Sequence, residues 1–277
     1  MIRDLILPML VAGILFLPWG SFVVAKVVEY PGSGDYVVLL HGVWGSERTM
    51  VVAAEVLQKK HFYAIVISYP STKLDIEEIT AQVVQPAIKA HCKDRRKKIH
   101  FVGHSLGGLL IRKLLSQERI SRRGRVVMIA TPNQGNKFAS AFGGFYPVEM
   151  IFGPTLKNLK TGKGMMRKKL GSVDFELGVI MGRLPRIAGM DIKALKEHDG
   201  LVLAESGKVT GMHDYIVVKG RHASLAGSRV VMRQMCYFLQ RGKFERGFST
   251  KERSARTQSQ LEREISTLLR KPFRALR

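Results

Sequence analysis

A serine between two glycines, in Gly103-His104-Ser105-Leu106-Gly107-Gly108, stands where an apolar run (KIHFVG) meets a helical one (LLIRKLL). In G-x-S-x-G at a strand-to-helix turn, the sharp bend holds the serine hydroxyl away from the sheet, and the small flanking residues let strand and helix approach closely. A plain serine N-cap demands neither glycine, so the spacing points to Ser105 as a nucleophile. A hydroxyl is a weak nucleophile alone, and it needs a histidine base oriented by a carboxylate.

On such a scaffold the partners follow in the order Ser, Asp or Glu, His. Of eight histidines, His198, His213 and His222 come late enough. His222 follows the apolar run DYIVVKG by two residues, which puts it at the carboxyl edge of a sheet beside Ser105. His213 precedes that run and belongs at the opposite edge, and His198 reads as a surface-loop residue. For the acid, Asp199 in His198-Asp199-Gly200 is favoured over its rivals: Asp191 reads as a helix N-cap, and Asp214 opens the last strand at its far end. Two backbone N–H groups suffice for an oxyanion hole, that of Leu106 directly after the serine and that of Val43 in the turn after YVVLLHG. His41 is expected to shape this turn, and Trp44 either contacts an acyl chain or packs as a half-exposed aromatic. This chemistry requires no metal and no organic cofactor.

The elements that must position these residues read as alternating short apolar runs (YVVLL, YAIVIS, KIHFVG, RVVMIA, FELGVIMG, DYIVVKG) and amphipathic stretches near 47–59, 75–91, 106–117 and 228–240. Strands apolar on both faces, alternating with helices, predict an α/β fold with a mostly parallel sheet covered on both sides. Residues 133–172 break the rhythm with Gly-rich, aromatic text and read as an insertion, either a lid or acyl pocket or a plain helical cover.

The chain has 277 residues with 45 Lys+Arg against 22 Asp+Glu, a net charge of +23. Its 45% hydrophobic and 24% charged composition is that of a globular protein and excludes collagen-like and wholly disordered chains. Two cysteines, Cys92 and Cys236, cannot make a disulfide scaffold or a four-ligand zinc site. Residues 5–25 carry no charge and are long enough to cross a bilayer, so residues 1–25 are expected to be a signal peptide or a membrane anchor and the protein to be exported or anchored. Residues 26–240 then form the domain. The tail 241–277 holds eleven basic residues against four acidic, with Leu261, Ile265, Leu268 and Leu269 on one helical stripe. Such a tail suits an anionic membrane surface, or forms a solvated helix. Nucleic acid is disfavoured as a partner, because no aromatic-basic recognition motif accompanies the charge.

The segments HGVWG, GHSLGG, ATPNQG and HDGLVLAESGKVTGMHDYIVVKGRH, in this order and spacing, resemble the α/β-hydrolase superfamily, in particular its small bacterial triacylglycerol-lipase and esterase branch. The resemblance spans about residues 36–240. It implies an α/β-hydrolase fold, a triad of Ser105, Asp199 and His222, and an oxyanion hole at Val43 and Leu106. It also implies hydrolysis of carboxylic, lipid-like acyl esters, with thioesterase or acyltransferase chemistry on the same fold as the alternative. A basic membrane-surface protein on a hydrolase scaffold is the reading without catalysis. The strong positive charge and the basic tail depart from the branch's pattern and bear on the substrate.

Overall fold

The computed structural model describes residues 9–15, 23–135, 170–184 and 197–247. Asp191 and most of the insertion and of the basic tail lie outside the described residues. Eight strands form one sheet: β1 (Met9–Leu15), β2 (Val23–Tyr30), β3 (Tyr36–Leu40), β4 (Tyr63–Ser68), β5 (Ile99–His104), β6 (Arg123–Ile129), β7 (Leu177–Arg183) and β8 (Asp214–Lys219), in the order β1-β2-β4-β3-β5-β6-β7-β8. From β4 to β8 every neighbouring pair is parallel, while β1–β2 and β2–β4 are antiparallel. The sheet is therefore mostly parallel, as the alternating text predicts.

Helices return the chain across both faces. They are α1 (Glu47–Lys59), α2 (Ile76–Ile79), which runs through a π-helical turn (Thr80–Val84) into α3 (Gln85–His91), α4 (Leu106–Gln117) and α5 (Arg229–Arg241). Ser46 caps α1, and Asp75 with Glu78 forms a reciprocal capping box at 2.8 Å in both directions, satisfying N–H groups that a helix start leaves open. The strands explain the absence of polar positions in the sequence: all five residues of β3 and all six of β5 are buried. Val38, Leu40 and Phe101 pack with α3 and α4 on one face. Val37, Leu39 and Val102 pack with α1 and α5 on the other. Burial of each such side chain contributes about 1.5–3 kcal/mol.

The antiparallel pair β1–β2 is not visible as strands in the sequence, because it lies within and just after the uncharged run. Lys26 and Glu29 interrupt the apolar pattern of β2 and find partners from elsewhere in the fold, Lys26 Nζ on Glu47 at 2.6 Å and Glu29 on Tyr63 and His91. The β2–β4 ladder runs from Lys26↔Ser68 to Tyr30↔Ala64, so it begins one residue after the expected leader ends. Among the described residues no helix is long and apolar enough to cross a membrane. At the other end the chain stays packed on the domain past residue 240: Phe244 is buried, its N–H donates to Asp214 Oδ2, and Arg233 holds Glu245 with two bonds of 2.7 Å. Cys92 and Cys236 are buried free thiols.

Candidate active site

Because β3 to β8 all run in one direction, the loops that follow them gather at one edge, and the chemistry-bearing residues come with them. Ser105 directly follows β5, at φ 53° and ψ −114°, and opens α4. A non-glycine residue at positive φ is strained, typically by about 1–3 kcal/mol, and persists only where its surroundings over-determine it. Here the Ser105 N–H donates to Ile129 O at 2.8 Å and the Gly108 N–H donates to Ser105 O at 3.1 Å. The glycines are required by contact: a Cβ on Gly103 would stand 2.5 Å from Gly108 N, and one on Gly107 would stand 2.2 Å from Leu40 O. The sequence expectation for the elbow is met at both glycines. Ser105 Oγ itself is buried and has no hydrogen-bond partner among the described residues.

His222 lies three residues after β8, at the start of a 3-10 turn (His222–Gly227), and Asp199 lies in the loop after β7. Their side chains meet, His222 Nδ1 donating to Asp199 Oδ2 at 2.8 Å, and the His222 N–H donates to Asp199 O at 3.0 Å. Asp199 is buried, and its other oxygen, Oδ1, accepts from the N–H groups of Leu201 at 3.0 Å and Val202 at 2.8 Å. Three donors hold one carboxylate, so it has a fixed orientation and a strong acceptor for the imidazole. Gly182 of β7 makes room, since a Cβ there would stand 2.7 Å from Asp199 Cβ. With Nδ1–H committed to the carboxylate, Nε2 of His222 carries the lone pair of a base.

The turn after β3 closes on the serine. A Cβ on Gly42 would stand 3.2 Å from Ser105 Cβ and 3.0 Å from His104 Nδ1, so a side chain there would crowd both. The Trp44 N–H, at φ 59°, donates to Ser71 Oγ at 3.1 Å, which fixes the turn. Neither the Val43 N–H nor the Leu106 N–H donates to a group among the described residues. The Trp44 side chain is 70% exposed.

His41 shapes the turn, as expected. The Tyr69 N–H donates to its Nε2 at 3.2 Å, which leaves the proton on Nδ1 to donate to Gly42 O at 2.7 Å, and its ring stacks on Tyr69 at 4.0 Å. Burial holds its pKa down to about 4. The rival histidines have local duties. His213 Nδ1 accepts from the Leu177 N–H at the amino edge, and His198 Nδ1 accepts from the Gly200 N–H at 3.1 Å. Asp214, also at the far edge, takes Arg246 and the N–H of Phe244.

One residue of the site was not singled out in the sequence. His104 Nε2 donates to His222 O at 3.1 Å, and the two rings lie 5.1 Å apart. Burial, and then the neighbouring His222, depress its pKa to about 3, so it stays neutral beside the other imidazole. The only sequence hint was its place next to the serine. Among the described residues no group of three His, Cys, Asp or Glu is placed to hold a metal.

Fold and site together define the class: the chain has the α/β-hydrolase fold, with a serine at the strand-to-helix turn. Residues 34–148, which include Ser105, match the family model described as "Putative serine esterase (DUF676)". No curated protein sequence matches the chain. Among solved structures, the mature form of a lipase from Bacillus licheniformis superposes with a TM-score of 0.59 at 17% identity, over 75% of this chain and 91% of that one. An esterase from Thermogutta terrifontis gives 0.56 at 13%, over 84% and 99%. An epoxide hydrolase from Vigna radiata gives 0.54 at 11%, over 84% and 97%. Identities this low establish the fold and leave the reaction to the site. With the family match, they support a hydrolase.

Proposed function

We propose that the protein is a serine hydrolase of carboxylic esters, acting on lipid-like acyl esters through an acyl-enzyme. The observation that carries the reading is the Asp199–His222 contact at 2.8 Å on the loops that flank a strained Ser105. Ser105 Oγ attacks the ester carbonyl carbon while its proton passes to His222 Nε2, and Asp199 stabilises the imidazolium. The N–H groups of Val43 and Leu106 hold the oxyanion, each such donor supplying about 2.7–4 kcal/mol of barrier lowering. Collapse breaks the ester C–O bond, and His222 returns the proton to the leaving alcohol. Water then repeats the sequence on the acyl-serine, giving up its proton to His222 and releasing the acid and Ser105. The Oγ–Nε2 hydrogen bond forms on substrate binding, because such bonds are loose in unliganded sites.

The exposed indole of Trp44, one residue past the Val43 donor, supports an apolar acyl group as substrate. The uncharged residues 5–25 support export or anchoring, and the +23 charge supports action at an anionic membrane surface. The test is hydrolysis of p-nitrophenyl esters from acetate to palmitate by the full chain and by Ser105→Ala. Serine-dependent turnover is expected, with kcat lowered on the order of 10⁶-fold in the variant. A chain-length optimum beyond eight carbons would mark lipid-like substrates. Ester turnover that survives in Ser105→Ala, or a folded wild-type protein inert on every ester, overturns the proposal.

A further inference from the structure

The opposite edge of the sheet carries an unexplained concentration of charge. The loop entering β5, residues 93–98 (KDRRKK), and the loop and first residues of β6, 119–125 (RISRRGR), hold nine cations and one acid. Three of these arginines are neutralised: Arg96 by Asp94, Arg123 by Asp174 and Arg125 by Glu176. Arg122 donates to the carbonyls of Cys92 at 3.0 Å and Lys97 at 2.9 Å, tying the two loops together without a carboxylate.

Between α3 and α4 these loops enclose a cleft of about 440 Å³, within the usual range for a single small ligand, about 300–1,000 Å³. At its floor Ile88, Cys92, Ile99 and Leu114 are almost fully buried, and the half-buried Ile120 is the apolar side chain most open to the cleft. Burial raises the Cys92 thiol to about 12, so it lines the floor as an uncharged group. Around this floor stand Lys89, Lys93, Arg95 and Arg119, all exposed and none with an ion-pair or hydrogen-bond partner among the described residues. Glu118 is the acid of the lining, and Gln85 Nε2 donates to it.

Exposed cations alone would be a solvated surface, and an apolar cleft alone would name no occupant. Their combination selects one. The geometry points to a binding site in this cleft for an anionic amphiphile, its phosphate or carboxylate head among Lys89, Lys93, Arg95 and Arg119 and the first carbons of its chain against Ile120 and the exposed margin of Ile88. A nucleic acid would find the charge but no stacking platform, since no aromatic side chain lines the cleft. The site lies at the amino edge, away from Ser105, so it is separate from the proposed hydrolysis and does not depend on it.

The test is calorimetric titration of the full chain with decyl phosphate below its micelle-forming concentration, beside inorganic phosphate and decanol. One saturable site for decyl phosphate is expected, at least tenfold tighter than either fragment. Arg95→Glu/Arg119→Glu, at exposed positions, should weaken it at least tenfold with an unchanged Tm and unchanged ester turnover. Ile120→Asp should weaken it through the floor instead. Vesicles of phosphatidylcholine with phosphatidylglycerol decide the source: co-sedimentation lost in the double variant points to a bilayer lipid, and decyl phosphate binding without co-sedimentation points to a free amphiphile. The site is overturned by any of four results: no saturation, inorganic phosphate binding as tightly as decyl phosphate, binding unchanged in the variants, or a single-stranded RNA that competes decyl phosphate away more tightly than it binds.

Discussion

Lowering the pH from 7.5 to 5.0 should cost this domain a large part of its stability, through two histidines that the fold keeps neutral. Burial holds His41 at about 4 and His104 at about 3, against an ordinary value of 6.5. In the unfolded chain both take up a proton as the pH falls through 6.5, while in the folded chain neither does. Their contribution is therefore complete above pH 6.5 and is lost progressively toward pH 4 for His41 and pH 3 for His104. One pKa unit is worth about 1.36 kcal/mol, so between pH 6.5 and 5.0 each histidine removes about 2 kcal/mol, and together about 4 kcal/mol. That is comparable with the whole stability of a marginal domain, about 5–15 kcal/mol. His100, also buried and lowered, adds in the same direction. Urea unfolding followed by circular dichroism at pH 7.5 and 5.0 measures the difference, and His41→Gln should reduce it by about half. A free energy that changes by less than about 1 kcal/mol between the two pH values would refute the buried, neutral state of these imidazoles.

Gly107→Ala pushes a methyl group to within 2.2 Å of Leu40 O; the urea midpoint should fall by the equivalent of about 3 kcal/mol or more, the upper range for overpacking. Asp199→Asn should leave the fold in place and lower kcat on the order of 10⁴-fold, the loss found where the imidazole takes the wrong tautomer, measured on the best p-nitrophenyl ester. Arg112 Nη1 donates to Asn133 O at 2.9 Å and Nη2 to Gly171 O at 2.6 Å, closing the two ends of the 133–172 insertion with one buried side chain. Arg112→Met strands those carbonyls and should lower stability by about 3 kcal/mol in the same urea assay. Removing residues 1–25 leaves every β2–β4 partner from Lys26 onward; residues 26–277 should fold, with a cooperative thermal transition by circular dichroism.

What could be read in the sequence follows from how local each signal is. The six parallel strands were legible because burial on both faces leaves an unbroken apolar run, and the amphipathic stretches near 47–59 and 106–117 coincide with α1 and α4. The Ser105 turn was legible because its steric demands fall on neighbours two residues away. Asp199 and His222 could be found only through chain order and their position after a strand. Their 2.8 Å contact joins residues 23 apart, which no local pattern encodes. Strand β2 was hidden because Lys26 and Glu29 look like solvent-facing breaks, whereas their partners come from α1, β4 and α3. The His104–His222 bond spans 118 positions and involves a backbone carbonyl, so the side-chain text is silent on it.

The strain at Ser105 and the satisfaction of its surroundings argue for the same conclusion from two sides. A serine held at positive φ costs about 1–3 kcal/mol that a plain βα turn avoids, and the chain commits Gly103, Gly107 and Gly108 to keep it there: a Cβ on Gly108 would stand 2.1 Å from Thr131 Oγ1. Beside it both oxygens of Asp199, both ring nitrogens of His41 and Nδ1 of His222 are engaged by named partners, while Ser105 Oγ has none among the described residues. A buried hydroxyl without a partner costs about 1–3 kcal/mol. Strain and an unpartnered hydroxyl fall on one side chain, next to a carboxylate-oriented imidazole. Relaxing the turn would recover the strain and remove the hydroxyl from the edge where the loops after β3, β7 and β8 converge. The expense is intelligible if a reacting group completes the bond, which is the step the Ser105→Ala comparison measures.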